Sequence, residues 1–487
     1  MKIGKYLKRT LAALLAVLML FSAVACGGKE EEETSSATVE GDELFPAKDY
    51  GGAEFRLMYR SGSHAYNMID VYAEGASANV VENQTFIRNA GVEAKYNIKI
   101  TPLPEQDPEG VLRKNSLSGE NICEALADRM YDTFPVISEG LVIPWNDVVD
   151  LSNEWWDQNC VEQLKLGGKS YILQGDLTPH SGASYLTFLW FNKTLLSDVG
   201  IESPYPDVKN MTWTFEKMYS MIKAVTDDLD GDGAYEAGDR FGMLTQVPYR
   251  LITGFDVSFT IMDDTGYPTL KPYDSLTGDK IQKVIDLMKD EKNTISIERM
   301  TEGVDLSGFP HIYAAARSSF NKNQLLFLEG VGTFSEEITN GTLKFGVLPM
   351  PLYNEDQDRY YNMIDEYACA WVLPYTNDNL EMTGTVFEYM SYSSGDLVDA
   401  VYEITLKAKK MQAPEDAEIL DIIFDTGLYE LAFVGNVGIR SMLEDMVDTG
   451  LISSTYKRNQ KAINGKYENI RKALEAADQP DAEQAAE

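Results

Sequence analysis

The chain is poor in the residues on which most enzymes and nucleic-acid binders depend. Its 487 residues include three histidines, His64, His180 and His311, none at zinc-site spacing to another. There is no Gly-x-Ser-x-Gly elbow and no complete phosphate-binding glycine pattern. Gly167-Gly168-Lys169-Ser170 looks like the end of a phosphate loop, but Gln163 stands where the leading glycine belongs. Lysine and arginine number 42 against 77 aspartates and glutamates, giving a formal net charge of −35. A phosphate backbone needs a basic face, so nucleic acid is not an expected partner, and the acidity reads simply as surface solubility. Cysteine is scarce: beyond Cys26, only Cys123, Cys160 and Cys369 remain, which permits one disulfide at most or three free, buried thiols. The carboxylates supply pairs of the glycosidase kind everywhere and so discriminate nothing. No catalytic constellation stands out, and the chain reads as a non-enzyme.

What the sequence does have begins at its start. Lys2, Lys5, Lys8 and Arg9 precede an unbroken apolar run from Leu11 to Phe21, and Ala23-Val24-Ala25-Cys26 closes it. The run is too short for a membrane span, which needs about 20 residues, and reads as a signal peptide over 1–25. Cysteine directly after small residues resembles the lipobox of bacterial lipoproteins, with Ala23 where leucine is commoner. That resemblance implies a diacylglyceryl group on Cys26 and a durable hold on the outer face of the cell membrane. Residues 26–50 are rich in Gly, Glu, Ser and Thr and read as a flexible tether, and 476–487 as an acidic disordered tail.

Between these ends the chain, 44% hydrophobic and 11% aromatic, alternates strand and helix patterns and can fill a large core. Ala53 to Tyr59 reads as a strand, Asn79 with Glu82 as the cap of a helix whose apolar stripe is Phe86, Ile87 and Ala90, and Tyr96 to Thr101 as a second strand. A helix is expected around Ile122 to Met130, and later strands at Tyr171 to Gly175, Ser184 to Phe191, Gln324 to Leu328, Lys344 to Leu348 and Ala368 to Leu373. Such βαβ spacing implies parallel sheets, whose ligands lie beyond the carboxyl ends of strands, so the loops after Tyr59 and before Phe134 face the expected site. Trp155-Trp156 reads as core packing or as a ligand platform.

The most specific chemical motif runs from Asp228 to Asp239. Asp228, Asp230, Asp232, Glu236 and Asp239 occupy positions one, three, five, nine and twelve, Gly233 position six, and Ala234 offers a carbonyl at seven. Hard oxygens at alternating positions around a sharp turn predict one structural calcium ion, the alternative being a metal-free acidic turn. Asp239 is shorter than the glutamate usual at twelve, and Arg240 to Leu244 reads as a strand instead of a second helix.

Several stretches together resemble the extracellular solute-binding proteins of carbohydrate ABC importers, the maltose-type and alginate-type binding lipoproteins. They are Arg88-Asn89 with Val92-Glu93 and Tyr96-Asn97-Ile98, Trp190-Phe191-Asn192-Lys193, Trp213-Thr214 ahead of the Asp228 loop, Phe345 to Pro351, and Gln357 with Tyr360. Leu352 departs from a lysine often found there. The resemblance implies a type II periplasmic-binding-protein-like fold, two discontinuous α/β lobes joined by a multi-strand hinge. Crossings are expected near Tyr171, Phe320 and Tyr367, giving lobe 1 as 51–170 with 320–366 and lobe 2 as 171–319 with 367–475. It also implies a monomer that captures an oligosaccharide in the cleft for permease subunits. A non-sugar solute such as a peptide is the alternative, and a surface hydrolase a third reading. The expected ligand residues are His64 and Tyr66 after the first strand, Asp132 in the next cleft loop, Asp176 at the first crossing, and Trp190 and Trp371 on the second lobe.

Overall fold

The computed structural model describes residues 44–62, 68–332 and 343–477. Among these, strands β1 (Ala53–Arg60), β2 (Ile98–Glu105), β3 (Ala125–Arg129), β4 (Val142–Ile143) and, from far down the chain, β10 (Cys369–Pro374) form a five-stranded sheet in the order β2-β1-β3-β10-β4. Strands β5 (Thr187–Asn192), β6 (Phe241–Thr245), β7 (Thr294–Ser296), β8 (Leu325–Val331) and β9 (Phe345–Leu348) form a second in the order β9-β5-β8-β6-β7. Both are mixed: β1 runs parallel to β2 and β3, whereas β10 lies antiparallel to β3, and β8 lies antiparallel to β5 but parallel to β6. Each sheet with its helices is one α/β lobe.

These pairings reverse part of the expected division. Residues 325–331 and 345–348 hydrogen-bond into the second sheet, and 369–374 into the first, where Trp371 stands opposite Ala127. Phe320 marks no crossing, because it lies in the helix Ile312–Asn321, which packs on β8. The chain passes between lobes over Tyr171 to Leu186, around Ile364 to Ala368, and again after Tyr392. Bridges Leu173↔Trp371 and Leu186↔Ile364 hold the first two strands together. A lone strand in a sequence carries its pattern but not the address of its partner, so the order of lobes could not be read from it.

Helix α1 (Val80–Tyr96) shows how the hinge is pinned. Asn79 caps it through Val81 N–H at 3.0 Å, while Glu82 bonds Ser77 instead of completing a capping box. Its buried face is Val81, Thr85, Arg88, Asn89, Val92 and Tyr96, not the expected stripe, and Ile87 is 51% exposed. Three of these buried side chains are polar and hold the neighbouring loops: Thr85 donates to the carbonyl of Ile69 (3.1 Å), Arg88 to those of Leu177 (2.6 Å) and Asp70 (2.8 Å), and Asn89 to that of Val71 (3.1 Å). The helix expected around Ile122 to Met130 is strand β3 followed by helix α2 (Met130–Ser138). Further on come α3 (Phe215–Val225), α4 (Tyr249–Gly254), α5 (Leu380–Tyr392), α6 (Ile439–Thr449) and α7 (Ile452–Ala477). Helix α5 joins the first core with Phe55 and Leu57, while α6 and α7 contribute to the larger second core.

The tether also ends sooner than expected. Phe45 lies in a box of Trp155, Tyr389 and Tyr392, with ring centroids at 5.9, 5.6 and 4.9 Å, and Lys48 pairs with Glu381 at 2.5 Å. Residues 44–50 are therefore docked on lobe 1, at the amino end of β1. Trp156 is core, whereas Trp155 is a wall of this box. Cys123, Cys160 and Cys369 are free and buried. No helix among the described residues is long and apolar enough to cross a membrane.

Candidate functional site

The carboxyl ends of β1 and β3 face the second lobe, and charged side chains collect there. Arg60, last in β1, forms a two-pronged pair with Asp128 of β3 at 2.5 and 2.9 Å and reaches Glu109 at 2.9 Å. Burial pushes the Glu109 carboxyl up to about 7 and raises Asp128 as well. The chain then turns into α2. Arg129 pairs with Asp132 in the helix's first turn, where the exposed N–H groups also favour an anion. The start of α2 is held against the second crossing by Met130 N–H on the Ala368 carbonyl and Tyr131 N–H on that of Glu366, both at 2.9 Å.

From Arg129 a stack of alternating guanidinium and phenol runs across the gap between lobes. Arg129 lies 5.2 Å from the Tyr367 ring centre, Arg440 of α6 lies 5.8 Å from Tyr367 and 5.2 Å from Tyr249, and Arg250 lies 5.9 Å from Tyr249. Tyr131 adds a second ring, 5.6 Å from Tyr367, and its hydroxyl accepts Asn436 Nδ2 at 2.7 Å, a direct bond between lobes. Each cation has its carboxylate: Glu366 holds Arg440, while Glu329 (3.2 Å) and Asp365 (2.9 Å) hold Arg250. Burial lifts Glu329 to about 7 against the pull of Arg250. Tyr249 is 2% exposed and packs on Phe433 at 4.7 Å, so the faces open to the gap are those of the half-buried Tyr131 and Tyr367; beside N–H and O–H groups they suit a ligand with apolar C–H faces ringed by hydroxyls.

Next to it, the first crossing is anchored by a fully buried Asp70, which accepts the His180 N–H at 2.8 Å. Burial raises Asp70 to about 7 and lowers His180 to about 4.

Of the expected ligand residues, Asp132 belongs to this site. His64 and Tyr66 lie outside the described residues. Asp176 is half-buried on the first crossing, its N–H on the Trp155 carbonyl at 2.8 Å, and lies beside that tryptophan instead of in the stack. Trp190 and Trp371 need correcting. Each is 1% exposed: Trp190 is wedged between Phe188 and Phe345 in the second sheet, and Trp371, in the first lobe, packs edge-on against Phe387. Neither presents a face to the gap. Tyr131, Tyr249, Tyr367, Arg129, Arg440 and Asn436 escaped the sequence reading. Their only signal is position just past a strand or at a turn before a helix, as in Asp128-Arg129 and Pro248-Tyr249.

The acidic loop follows α3. One oxygen each from Asp228, Asp230 and Asp232 lie within 4.8 Å of one another, and Gly231 and Gly233 take φ of 77° and 88° to allow the turns. The N–H groups of Gly231 (2.7 Å) and Gly233 (2.8 Å) donate to Asp228 and hold its carboxyl below the usual range, and Ala234 N–H donates to Asp232 at 2.7 Å. Glu236 is exposed. Asp239 is buried and accepts Leu229 N–H (2.8 Å) and Glu236 N–H (2.9 Å), so it staples the loop from beneath. The three convergent carboxylates fit a hard divalent cation; Asp239 in this position supports the turn.

No protein-family model and no curated protein matches the sequence. Solved structures do match the fold. An ABC substrate-binding protein of Listeria monocytogenes in complex with cycloalternan aligns over 87% of this chain and 99% of its own, at 12% identity and a TM-score of 0.50. The maltose/maltodextrin-binding domain MalE of Bdellovibrio bacteriovorus bound to maltotriose covers 87% and 99%, at 14% identity and 0.51. The apo-form of RafE from Streptococcus pneumoniae covers 86% and 99%, at 12% and 0.52. The chain thus has the type II, two-lobed α/β fold of the sugar-binding proteins of ABC transporters, along nearly the whole of those proteins' length.

Proposed function

We propose that this is an extracellular solute-binding protein that captures an oligosaccharide between its lobes and hands it to the permease subunits of an ABC importer. It acts as a monomer and without catalysis, held to the outer face of the bacterial membrane by lipid on Cys26. The observation that carries the ligand class is the pair of half-buried rings Tyr131 and Tyr367 with Arg129 and Arg440, where the two lobes meet. A ligand touching both lobes favours the closed over the open arrangement. Thermal-shift screening against a glycan panel, followed by scattering with the best ligand, should give a raised melting temperature and a more compact particle. Binding of peptides with no saccharide active would sink the sugar assignment. Mass spectrometry of the membrane-bound form should find Cys26 lipidated and N-terminal.

A structural calcium ion on Asp228, Asp230 and Asp232, with Ala234, Glu236 and Asp239 completing or supporting the loop, is part of the same proposal. A ligand at 100 times its dissociation constant adds about 2.7 kcal/mol of stability. Chelator should lower the melting temperature accordingly and Asp230→Ala should erase the difference; identical melting with chelator and with calcium would leave only an acidic turn.

A further inference from the structure

The guanidiniums at the cleft are already spoken for. Arg129 and Arg440, with 15% and 31% of their side chains exposed, are the pair within reach of a ligand, and each is neutralised by a carboxylate, Asp132 and Glu366. Arg60 and Arg250 lie deeper: Arg60 has Asp128, Glu109 and, at 3.5 Å, Asp132, which it shares with Arg129, and Arg250 has Glu329 with Asp365. Lys466, behind Asn436, donates to that residue's carbonyl at 3.2 Å. Residues 63–67 and 333–342 contain no lysine or arginine to add to the balance.

Resting on the saccharide reading above, we infer that the cleft is built for an uncharged oligosaccharide, with Asp132 and Glu366 as the specificity residues that keep Arg129 and Arg440 neutral and so turn uronic acids away. A ligand carboxylate pairing with Arg440 would have to share it with Glu366, which is 1% exposed, so a second negative charge would be brought beside a buried carboxylate with one cation between them. A sugar hydroxyl makes no such demand. It accepts from a guanidinium N–H that the carboxylate does not use, while the C–H face of the ring lies on Tyr367. The surrounding field acts in the same sense, because a chain of net charge −35 repels anions before they arrive.

Calorimetry on the mature protein with tetrasaccharides in matched pairs tests this, each neutral gluco-, manno- or galacto-series set against the corresponding uronate. The best neutral ligand is expected to bind at least about tenfold more tightly than its uronate, a difference of about 1.4 kcal/mol. Its affinity should change less than about twofold between roughly 50 and 500 mM salt. Asp132→Asn, which keeps the side chain's shape and a hydrogen-bonding oxygen, should narrow the neutral-to-uronate ratio at least about threefold by strengthening uronate binding, with the melting curve recorded alongside to show that the variant is folded. A uronate that binds the wild type as tightly as its neutral partner, or an unaltered ratio in Asp132→Asn, overturns the inference. Binding of peptides alone is a different failure: it removes the saccharide reading, and this inference falls with it.

Discussion

Tryptophan and tyrosine divide the work in this molecule. Trp190 and Trp371 stand mid-strand in sheets whose strands are buried on both faces, while the half-buried Tyr131 and Tyr367 stand just beyond a strand end and on the crossing. In a sheet covered by helices, every residue within a central strand faces a core, whatever its polarity. Only residues beyond the strand's end reach the gap. Aromatic identity therefore says little about ligand contact, and position relative to the strand's end says much.

The strongest way to break this comparison is to truncate the strand tryptophans. Trp371→Ala removes the partner of Phe387 and frees space beside Trp145, whose indole N–H donates to the Trp371 carbonyl at 3.3 Å. Losing a fully buried tryptophan costs about 3–5 kcal/mol. Chemical denaturation should show that loss, and any fall in ligand binding should vanish once the folded fraction is allowed for. A stable Trp371→Ala protein that has lost its ligand would place this residue in the site after all.

A smaller effect is expected at the third kind of aromatic position, the box around Phe45. Trp155 is fixed by its indole N–H on Glu388 at 2.7 Å, and burial raises that carboxyl above its usual range. Phe45→Ala should cost about 1–2 kcal/mol, the worth of one or two aromatic pairs. It should also open residues 44–50 to proteolysis and change the Trp155 fluorescence without touching ligand affinity. Unchanged protease resistance would show that Lys48 and Tyr50, whose hydroxyl donates to Glu381 at 3.1 Å, hold the segment by themselves.

How far the sequence carries can be judged at these same places. The alternation of strands and helices was legible because periodicity and capping are local, and the two-lobed α/β class came from the resemblance of several short stretches to a known family. Asn79 and the Asp228 loop are cases where side chains and backbone a few residues apart decide the structure. The lobe assignment of 320–366 was not legible, since Glu329 opposite Leu189 and Trp371 opposite Ala127 are pairings across more than a hundred residues. Nor was the buried face of α1, where Arg88 and Asn89 are interior because they clamp the hinge loops, contrary to what their polarity suggests. The stack in the cleft is assembled from Arg129, Tyr249, Tyr367 and Arg440, four segments that carry no shared motif.

A change in stability no greater than that of Phe45→Ala, but a far larger change in binding, is expected where the comparison is sharpest, at Tyr367. Its ring is half-buried, rests against Tyr131 and two guanidiniums, and lies outside both sheets. Removing it forfeits two partly exposed cation–π contacts of about 0.5–1 kcal/mol each, so Tyr367→Ala should melt within a few degrees of the wild type. Ligand binding should nevertheless fall by about tenfold or more, because a stacking face in a largely desolvated cleft has no substitute. Tyr367→Phe keeps the face and loses only the hydroxyl, and should recover most of that loss. If the alanine variant binds as well as the wild type, the platform is elsewhere, and the Arg129–Tyr367–Arg440 stack is a brace between the lobes. If the phenylalanine variant fails as badly as alanine, the hydroxyl and not the ring makes the contact, and ligand recognition at Tyr367 would rest on hydrogen bonding instead of on an aromatic face.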